Sequence, residues 1–400
     1  MKIVLLAEVS AASVIGGAER VLREHALGLG RRGHEVAIVA RMPPDDQRST
    51  ISQDGLVEHR FAVSRSHALA FVWSSIRQSV KVFDRACGSG QADAVMIHQA
   101  LAGAGPILRR RSRARRWIYA CLSLAHEEYL SRAGRTGTWL TRLQSAVNAK
   151  LRLWIERLVL RRCDRVIVLS DFMRQRVRVV HRVPEERIRL IPGAADLATF
   201  RPVADRAAVR RSLKLPLAKT LLVTVRNLVP RMGLEHLIAA MKELGEEGRD
   251  CLLLIGGEGV IRSSLERQIR EQGLVDRVTL LGFILEADLP KYFQAADLVL
   301  MPTHELEGFG LVTVEALACG TPVLGTPVAA IPEVLSRLDP ELVAGGTDSR
   351  SLAMAMRKIL GRFRERPDER ARLAAAGRAL VERDYNWEQH VSRLERELSG

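Results

Sequence analysis

The chain has 400 residues, of which 47% are hydrophobic and 27% charged, so two or three globular domains of about 150 residues each are expected. Aromatic residues make up only 4% of the chain, which argues against a lectin-like surface and against a platform for stacking single-stranded nucleic acid. The formal net charge of +15 predicts anionic partners, namely a nucleotide, a phosphorylated substrate, an anionic lipid or nucleic acid.

The scattered cysteines and the first apolar run indicate a cytoplasmic protein. The five cysteines form no CxxC arrangement, which predicts neither a disulfide framework nor a zinc site and fits a reducing compartment. The opening MKIVLLAEVS is too short an apolar run for a signal peptide, and no run approaches the roughly 18 residues that cross a bilayer. We interpret the opening as a buried first strand.

The two halves of the chain each alternate short apolar runs with helical patterns. Strands are predicted at 2–8, 35–41, 92–99, 116–123 and 164–170, and again at 220–227, 251–259, 277–283 and 297–303. Between the first two lies the helical pattern AERVLREHALGLGRRG, which is expected to end on Gly33. Apolar strands that each precede a helix predict parallel sheets covered on both faces. The fold class is therefore α/β, with two doubly wound units joined near 195–205.

Two further helices are predicted from periodicity. Apolar residues recur at helical spacing between 134 and 162, and we expect these positions to face the core, with a membrane-lying face as the alternative. They are Leu140, Leu143, Val147, Leu151, Trp154 and Leu158. The segment 387–399 is the second helix.

Several strand-to-helix turns carry residues suited to an anion. Gly16 and Gly17 follow the first strand and open a helix, where glycines let the backbone approach a ligand or serve packing alone. Arg226 ends a strand in the second half and Arg231 lies five residues later. Two guanidiniums at the carboxyl end of a parallel strand suit a diphosphate, although two solvated loop arginines would give the same pattern.

The stretch HELEGFGLVTVEALACG places Glu307 and Glu315 around a predicted helix start. The amides of Phe309, Gly310 and Leu311 would lie at this helix N-terminus, where a phosphate is well held. Acidic residues near helix starts are also common as favourable dipole charges, so the spacing alone leaves both interpretations open.

With these motifs in order, the chain resembles the retaining GT-B glycosyltransferases of family 4 over nearly its whole length. The motifs that carry the resemblance are GGAER, VIVLSDFMRQRV, RIRLIPGAADLATFRP, VRNLVPRMGLEHLI, LLIGGEGVIRSSLE and EGFGLVTVEALACGTPV. The resemblance implies two Rossmann-like domains facing a central cleft: 1–195 on the acceptor side, 196–380 on the donor side, and 381–400 as a helix crossing back to the first domain.

The resemblance also implies roles for individual residues. Glu307 would contact the hydroxyls of the transferred sugar and Glu315 the ribose of a UDP-, GDP- or ADP-sugar, with no cofactor and no obligatory metal. The other implied donor contacts are those of Arg226, Arg231 and the Phe309, Gly310 and Leu311 amides with the diphosphate, of Phe283 and Ile284 with the base, and of Gly16 and Gly17 from the first domain.

One departure concerns a histidine that usually follows the strand written here as WIYACLS. That position falls at Leu122, and His126, four residues later, is the candidate catalytic replacement. The first hypothesis is a retaining glycosyltransferase in bacterial polysaccharide or glycolipid assembly. The alternatives are a non-catalytic GT-B subunit that binds a nucleotide sugar or a partner protein, and, as a third, a sugar phosphorylase.

The run RRRSRARR at 109–116 concentrates six arginines in eight residues. It is interpreted as a contact to an anionic membrane or acceptor, which would place the protein peripherally on the inner membrane face, or as a solvated patch. Nucleic-acid binding is disfavoured because no recognition motif accompanies the charge.

Overall fold

The apolar runs fold into two separate parallel sheets. The computed structural model describes residues 1–14, 16–133 and 139–400. The chain divides into two units, Met1–Gly193 with Trp387–Gly400, and Ala194–Asn386. Every strand predicted from the sequence is present, which confirms the two doubly wound α/β units.

The first unit contains an eight-stranded sheet within the described residues, in the order β3-β4-β2-β1-β5-β6-β7-β8. Its strands are β1 (Lys2–Ala7), β2 (Glu35–Arg41), β3 (Thr50–Gln53), β4 (Leu56–Phe61), β5 (Ala92–Ile97), β6 (Ala114–Cys121), β7 (Arg165–Val168) and β8 (Ile188–Leu190). Its first six helices are α1 (Gly17–Arg31), α2 (Ala68–Cys87), α3 (Ala100–Arg109), α4 (Ala125–Ala133), α5 (Trp139–Arg162) and α6 (Asp171–Arg176). Helix α1 ends just before Gly33, whose φ of 82° confirms the predicted helix end.

The sheet of the first unit is buried on both faces. Ile3 and Leu5 belong to one apolar cluster and Val4 and Leu6 to another, and all four side chains are fully buried. Because successive residues of a strand point to opposite faces, helices must cover both sides of β1. This burial explains why the predicted strands show no polar alternation.

An antiparallel hairpin at the sheet edge was not predicted. Strands β3 and β4 pair antiparallel across Asp54 and Gly55, which both have positive φ, at 53° and 76°. A two-residue Asp-Gly loop is the standard connection for such a hairpin. The signal was therefore present in the sequence as ISQDGLVEH.

The second unit contains, among the residues described, a five-stranded parallel sheet in the order β11-β10-β9-β12-β13. Its strands are β9 (Thr220–Val225), β10 (Cys251–Gly256), β11 (Val278–Gly282), β12 (Leu298–Met301) and β13 (Val323–Gly325). Its helices are α7 (Arg206–Ser212), α8 (Leu234–Glu243), α9 (Arg262–Glu271), α10 (Leu289–Ala295), α11 (Leu311–Ala318), α12 (Ile331–Leu335), α13 (Ser349–Glu365) and α14 (Glu369–Asp384). The last helix, α15 (Trp387–Ser399), confirms the helix predicted at 387–399. It belongs to the first unit.

The predicted core-facing role of α5 is wrong for part of the helix. Leu143, Val147 and Trp154 are 56%, 59% and 61% exposed, and the buried apolar positions of the helix include instead Ile155, Val159 and Leu160. Helical spacing identifies an apolar stripe but not the neighbour that covers it, and here the stripe faces solvent. The part of this prediction at 134–138 lies outside the described residues.

A chain of three buried histidines holds α15 in the first unit. His390 Nδ1 lies 2.6 Å from the carbonyl of Pro192, His25 Nε2 lies 2.8 Å from His390 Nε2, and His98 Nε2 lies 3.0 Å from His25 Nδ1. Burial lowers the pKa of each, to about 4 for His390, to about 3 for His98 and well below the usual value for His25. All three rings are therefore neutral at pH 7.

One carbonyl fixes every tautomer in this histidine chain. A carbonyl can only accept, so His390 carries its proton on Nδ1 and accepts at Nε2. It follows that His25 donates from Nε2 and accepts at Nδ1, and that His98 donates from Nε2. His98 Nδ1 is then a bare, buried acceptor, and no hydrogen bond to it is present within the described chain.

We expect this histidine chain to lower the free energy of unfolding as the pH decreases below about 6.5. Because the folded-state pKa values lie below the usual value of 6.5, the unfolded chain binds protons that the folded chain does not as the pH drops below about 6.5. The free energy of unfolding should then fall by about 1.4 kcal/mol per pH unit for each neutral histidine, down to the folded-state pKa.

Urea unfolding at several pH values measures this slope. His390→Gln should flatten the slope between about pH 6.5 and 4, whereas the control His304→Gln, at an exposed position of the second unit, should leave it unchanged. An identical slope for wild type and His390→Gln would contradict the assignment.

Candidate functional site

The carboxyl ends of the second unit's strands bring several predicted residues to one edge. Arg226 directly follows β9, Gly257 follows β10, Phe283 follows β11 and Thr303 lies two residues beyond β12. Parallel strands end at the same edge of their sheet, where ligands of doubly wound folds bind. The predicted residues of this half therefore lie on a common edge.

Arg226 and Glu307 form an ion pair at this edge. The side chains are 5% and 14% exposed, and Arg226 Nη2 pairs with Glu307 Oε2. The guanidinium also donates to Thr303 Oγ1 at 2.9 Å and contacts the Met232 sulfur at 3.0 Å. A carboxylate so nearly buried requires a cation, so Arg226 determines where Glu307 lies.

The backbone of Arg226 is itself fixed by a glycine of the neighbouring turn. Gly257 has φ 132°, and a Cβ atom there would lie 1.9 Å from the Arg226 carbonyl oxygen. The Arg226 amide donates to the Gly256 carbonyl at 2.9 Å. This close approach sets the ends of β9 and β10 side by side.

The segment after Glu307 turns into helix α11. Gly310 precedes the helix with φ 81°, a conformation that strains other residues, and Phe309 is buried with its ring 5.7 Å from that of Tyr385. Leu311 is the first helical residue, and Glu315 is 1% exposed within the helix. The predicted amides thus lie at a helix N-terminus, whose partial positive charge favours an anion.

Arg231 anchors the loop that precedes Glu307. Its Nη1 donates to the Leu306 carbonyl at 2.6 Å, and its own carbonyl accepts from the His304 and Glu305 amides at 2.9 and 3.1 Å. The two predicted arginines therefore both act on the loop 303–307, one through its backbone and one through Glu307.

Phe283 and Ile284 follow edge strand β11. Phe283 is 50% exposed, while Ile284 is partly buried with its Cδ1 against Gly256. Among the described residues, neither side chain contacts Glu307. Phe283 and Ile284 therefore lie at the same edge of the sheet as Glu307 but in a different part of it.

The remaining predicted residues belong to the first unit. Gly16 precedes α1 in an extended conformation, and Gly17 is the exposed first residue of that helix. Leu122, which follows β6, packs against an apolar cluster. His126 lies in the first turn of α4, with its ring edge-on to His181 at 6.1 Å, and burial lowers its pKa.

The arginines of 109–116 lie at the opposite, amino-terminal end of β6. Arg110, Arg111, Arg113 and Arg115 are each within 4.0 Å of an aspartate carboxylate, from Asp84, Asp93 or Asp164. Acidic neighbours therefore compensate much of the charge of this run.

Some residues of these sites carried no recognisable sequence signal. Thr303 and Met232 contact Arg226, and Glu156 and His181 lie beside His126. Thr303 lies 77 residues along the chain from Arg226, whereas Met232 lies only six residues away. Glu156 and His181 belong to elements that come after the helix of His126, so the fold brings them beside it.

Solved structures share this architecture along the whole chain. Sucrose-phosphate synthase from Thermosynechococcus elongatus aligns with a TM-score of 0.82 and 25% identity over 99% of this chain and 97% of its own. The Anabaena protein HepE, crystallised with UDP and glucose, aligns with a TM-score of 0.78 and 19% identity over the full length of both chains. These matches identify the fold of this chain as GT-B.

Comparison of the sequence with models of protein families identifies the family within this fold. Residues 15–199 match the model described as Glycosyltransferase Family 4, and residues 205–379 match that described as Glycosyl transferases group 1. The chain belongs to this family of retaining GT-B glycosyltransferases.

A curated relative is the GDP-mannose-dependent monoacylated alpha-(1-6)-phosphatidylinositol monomannoside mannosyltransferase of Corynebacterium glutamicum. It is 32% identical over 212 residues, which are 51% of this chain and 54% of the relative. The chain thus matches about half the length of this relative.

The close approach at Gly257 predicts a selective loss of stability. Gly257→Ala would place a methyl group against the Arg226 carbonyl, so we expect a loss well above the roughly 1–2 kcal/mol of a positive φ alone. The matched control is Gly273→Ala, which also has a positive φ, 68°, but nothing within 4 Å of the new Cβ. Chemical denaturation of both variants would measure the difference, and equal losses would contradict the steric argument.

Proposed function

We propose that this chain transfers a sugar from a nucleoside diphosphate sugar to an acceptor with retention of the anomeric configuration. The observation that carries the proposal is the nearly buried Arg226–Glu307 pair, placed directly before the N-terminus of α11, on which Glu315 lies. Family membership supports the same reaction class.

The second unit is proposed to bind the donor. The N-terminus of α11, with the amides of Phe309, Gly310 and Leu311, would face the diphosphate together with Arg226 and Arg231. As the bond from sugar to phosphate breaks, negative charge grows on the leaving phosphate, and fixed positive groups at that point lower the barrier. No acid is then needed to protonate the departing diphosphate.

The two glutamates are proposed to divide the recognition of the donor. Glu307, held by Arg226, would accept hydrogen bonds from hydroxyls of the transferred sugar and fix the sugar relative to the diphosphate. Glu315, one helical turn into α11, would accept hydrogen bonds from the ribose. Because the ion pair restricts Glu307, little side-chain freedom would be lost when the sugar binds.

The donor base is proposed to be read at Phe283 and Ile284, through backbone groups after β11. HepE was crystallised with UDP, and the C. glutamicum relative is named for GDP-mannose. A test of this chain therefore starts from a panel of UDP-, GDP- and ADP-sugars.

The first unit is proposed to bind the acceptor, a carbohydrate or a lipid-linked sugar, with Gly16 and Gly17 approaching the donor. His126 remains the proposed catalytic group of this unit, and unchanged activity of His126→Ala would remove it from the reaction. Leu122, in place of a histidine, favours the second candidate function, a non-catalytic subunit that binds a nucleotide sugar. Binding of a donor without transfer or hydrolysis would support that candidate.

We further propose that the protein associates peripherally with an anionic membrane. No described helix is both long and apolar enough to span a bilayer. The α5 stripe, defined as Trp139, Leu143, Val147 and Trp154, is 56–72% exposed, and Lys150 is exposed on the same helix. An exposed apolar stripe with basic neighbours suits the interface of an anionic bilayer. The α5 stripe is therefore a better candidate for the membrane contact than the run 109–116, whose arginines are largely paired with aspartates.

The first test of the proposed reaction separates transfer from binding. We expect Glu307→Ala to lower sugar transfer by about 100-fold or more, by analogy with the loss of one fixed polar group at a reacting centre. Nucleoside diphosphate affinity, measured by calorimetry, should stay nearly unchanged. Glu305→Ala, at an exposed glutamate two residues earlier, is the matched control and should keep wild-type transfer.

Arg226→Ala tests the same site from the other partner. Loss of a charge-assisted contact should weaken nucleoside diphosphate binding by about 1.5–3 kcal/mol. Because Glu307 also loses its cation, the double variant should be less impaired in transfer than the sum of the two single variants. Nucleotide affinity that is indifferent to Arg226 would contradict its placement at the diphosphate.

The membrane proposal predicts co-sedimentation with phosphatidylglycerol vesicles but not with neutral phosphatidylcholine vesicles. Trp154→Glu should reduce the bound fraction, because it places a negative charge in the stripe. Trp73→Glu is the matched control, since Trp73 is equally exposed, at 61%, but lies on α2. Equal losses for the two variants would show that the stripe is not the contact.

A further inference from the structure

A second group of chemically active side chains lies in the first unit and includes His126, whose metal-bound ring would position α4 and would not act as a catalytic group. His126 from α4, Glu156 from α5 and His181 from the π-helical turn Val177–His181 bring one ligating atom each within 4.8 Å of one another. Two imidazoles and a carboxylate are a common ligand set for zinc.

His181 is the member whose environment requires an explanation. It is 1% exposed, and neither ring nitrogen makes a hydrogen bond within the described residues. Its Nε2 lies 3.2 Å from Glu156 Oε2, close enough for an ion pair but not aligned for a hydrogen bond. A buried ring without partners costs free energy, which a bound cation would recover.

Glu156 is oriented by a second layer of contacts. The carboxylate is fully buried, Tyr119 donates its hydroxyl proton to Oε1 at 2.8 Å, and the Ala125 amide approaches Oε2 at 3.2 Å. Such outer contacts fix metal-binding carboxylates in place and leave a lone pair directed at the ion. The position of Oε2 is therefore set before any ligand arrives.

We propose that His126, Glu156 and His181 bind one divalent transition-metal ion, with zinc as the ion of reference. Zinc bonds of about 2.1 Å in a tetrahedral site separate the ligand atoms by about 3.4 Å. The Glu156–His181 pair already meets this spacing, and the His126 ligand atom, which lies within 4.8 Å of both, would move closer on binding. The His126 side chain is 14% exposed, whereas the side chains of Glu156 and His181 are fully buried, so His126 is the most accessible of the three ligands.

Two arginines lie near the site, and one of them is paired with a carboxylate. Glu127 pairs with Arg176, and Arg157 donates to the Val180 carbonyl at 2.7 Å. The metal joins α4, α5 and the π-helical turn, which follow or precede the neighbouring strands β6 and β7. It thereby fixes α4, and it takes no part in the steps proposed for the second unit.

Metal analysis of the full chain tests the inference. Protein dialysed against EDTA, incubated with excess zinc chloride and desalted should retain one Zn²⁺ per chain, and Co²⁺ in its place should give visible absorption. His126→Ala should lose the metal, and His126→Asp, which restores a ligand, should retain it. Circular dichroism of the metal-free variants checks that they fold.

The matched control is His304→Ala in the second unit, where the rings of His236 and His304 lie 5.2 Å apart. This variant should keep the zinc. The inference is overturned if the wild-type chain takes up no zinc, if His126→Ala retains it, or if His304→Ala loses it. None of these measurements depends on glycosyl transfer.

Discussion

The candidate donor site depends on one nearly buried ion pair. Removing a guanidinium and a carboxylate from water is costly unless they meet, so Arg226 and Glu307 bind the end of β9 to the loop after β12. Thr303 completes the contact, and Arg231 holds the same loop through its backbone. The ion pair between Arg226 and Glu307 thereby determines the geometry of the loop that leads into α11.

Much of this unit could be predicted from the sequence, because its signals are local. Each apolar run became a strand, and the residue after it reached the carboxyl edge as parallel pairing requires. The direct contact of Arg226 with Glu307 could not be predicted, since the two lie 81 positions apart in the sequence. The sequence suggested two arginines for an anion, and the structure adds that one of them is already paired with a glutamate.

Three features of the first unit were not predicted correctly from the sequence, each for its own physical reason. Periodicity correctly identified α5 as a helix but assigned Leu143 and Trp154 to the core, because the period contains no information about which neighbour covers the stripe. The hairpin at Asp54 and Gly55 was missed although its signal was local. For His126, its partners Glu156 and His181 follow no motif spacing, and only the adjacency of β6 and β7 brings them near.

The return of α15 to the first unit has a consequence for synthesis on the ribosome. Residues Ala194–Asn386 are contiguous, so the second unit can fold as soon as it emerges. The first unit emerges earlier, yet His25 and His98 must wait for His390, which is translated after the whole second unit. The N-terminal half of the chain is thus the last to be completed, and until then a surface of α1 that α15 will cover is open to chaperones and proteases.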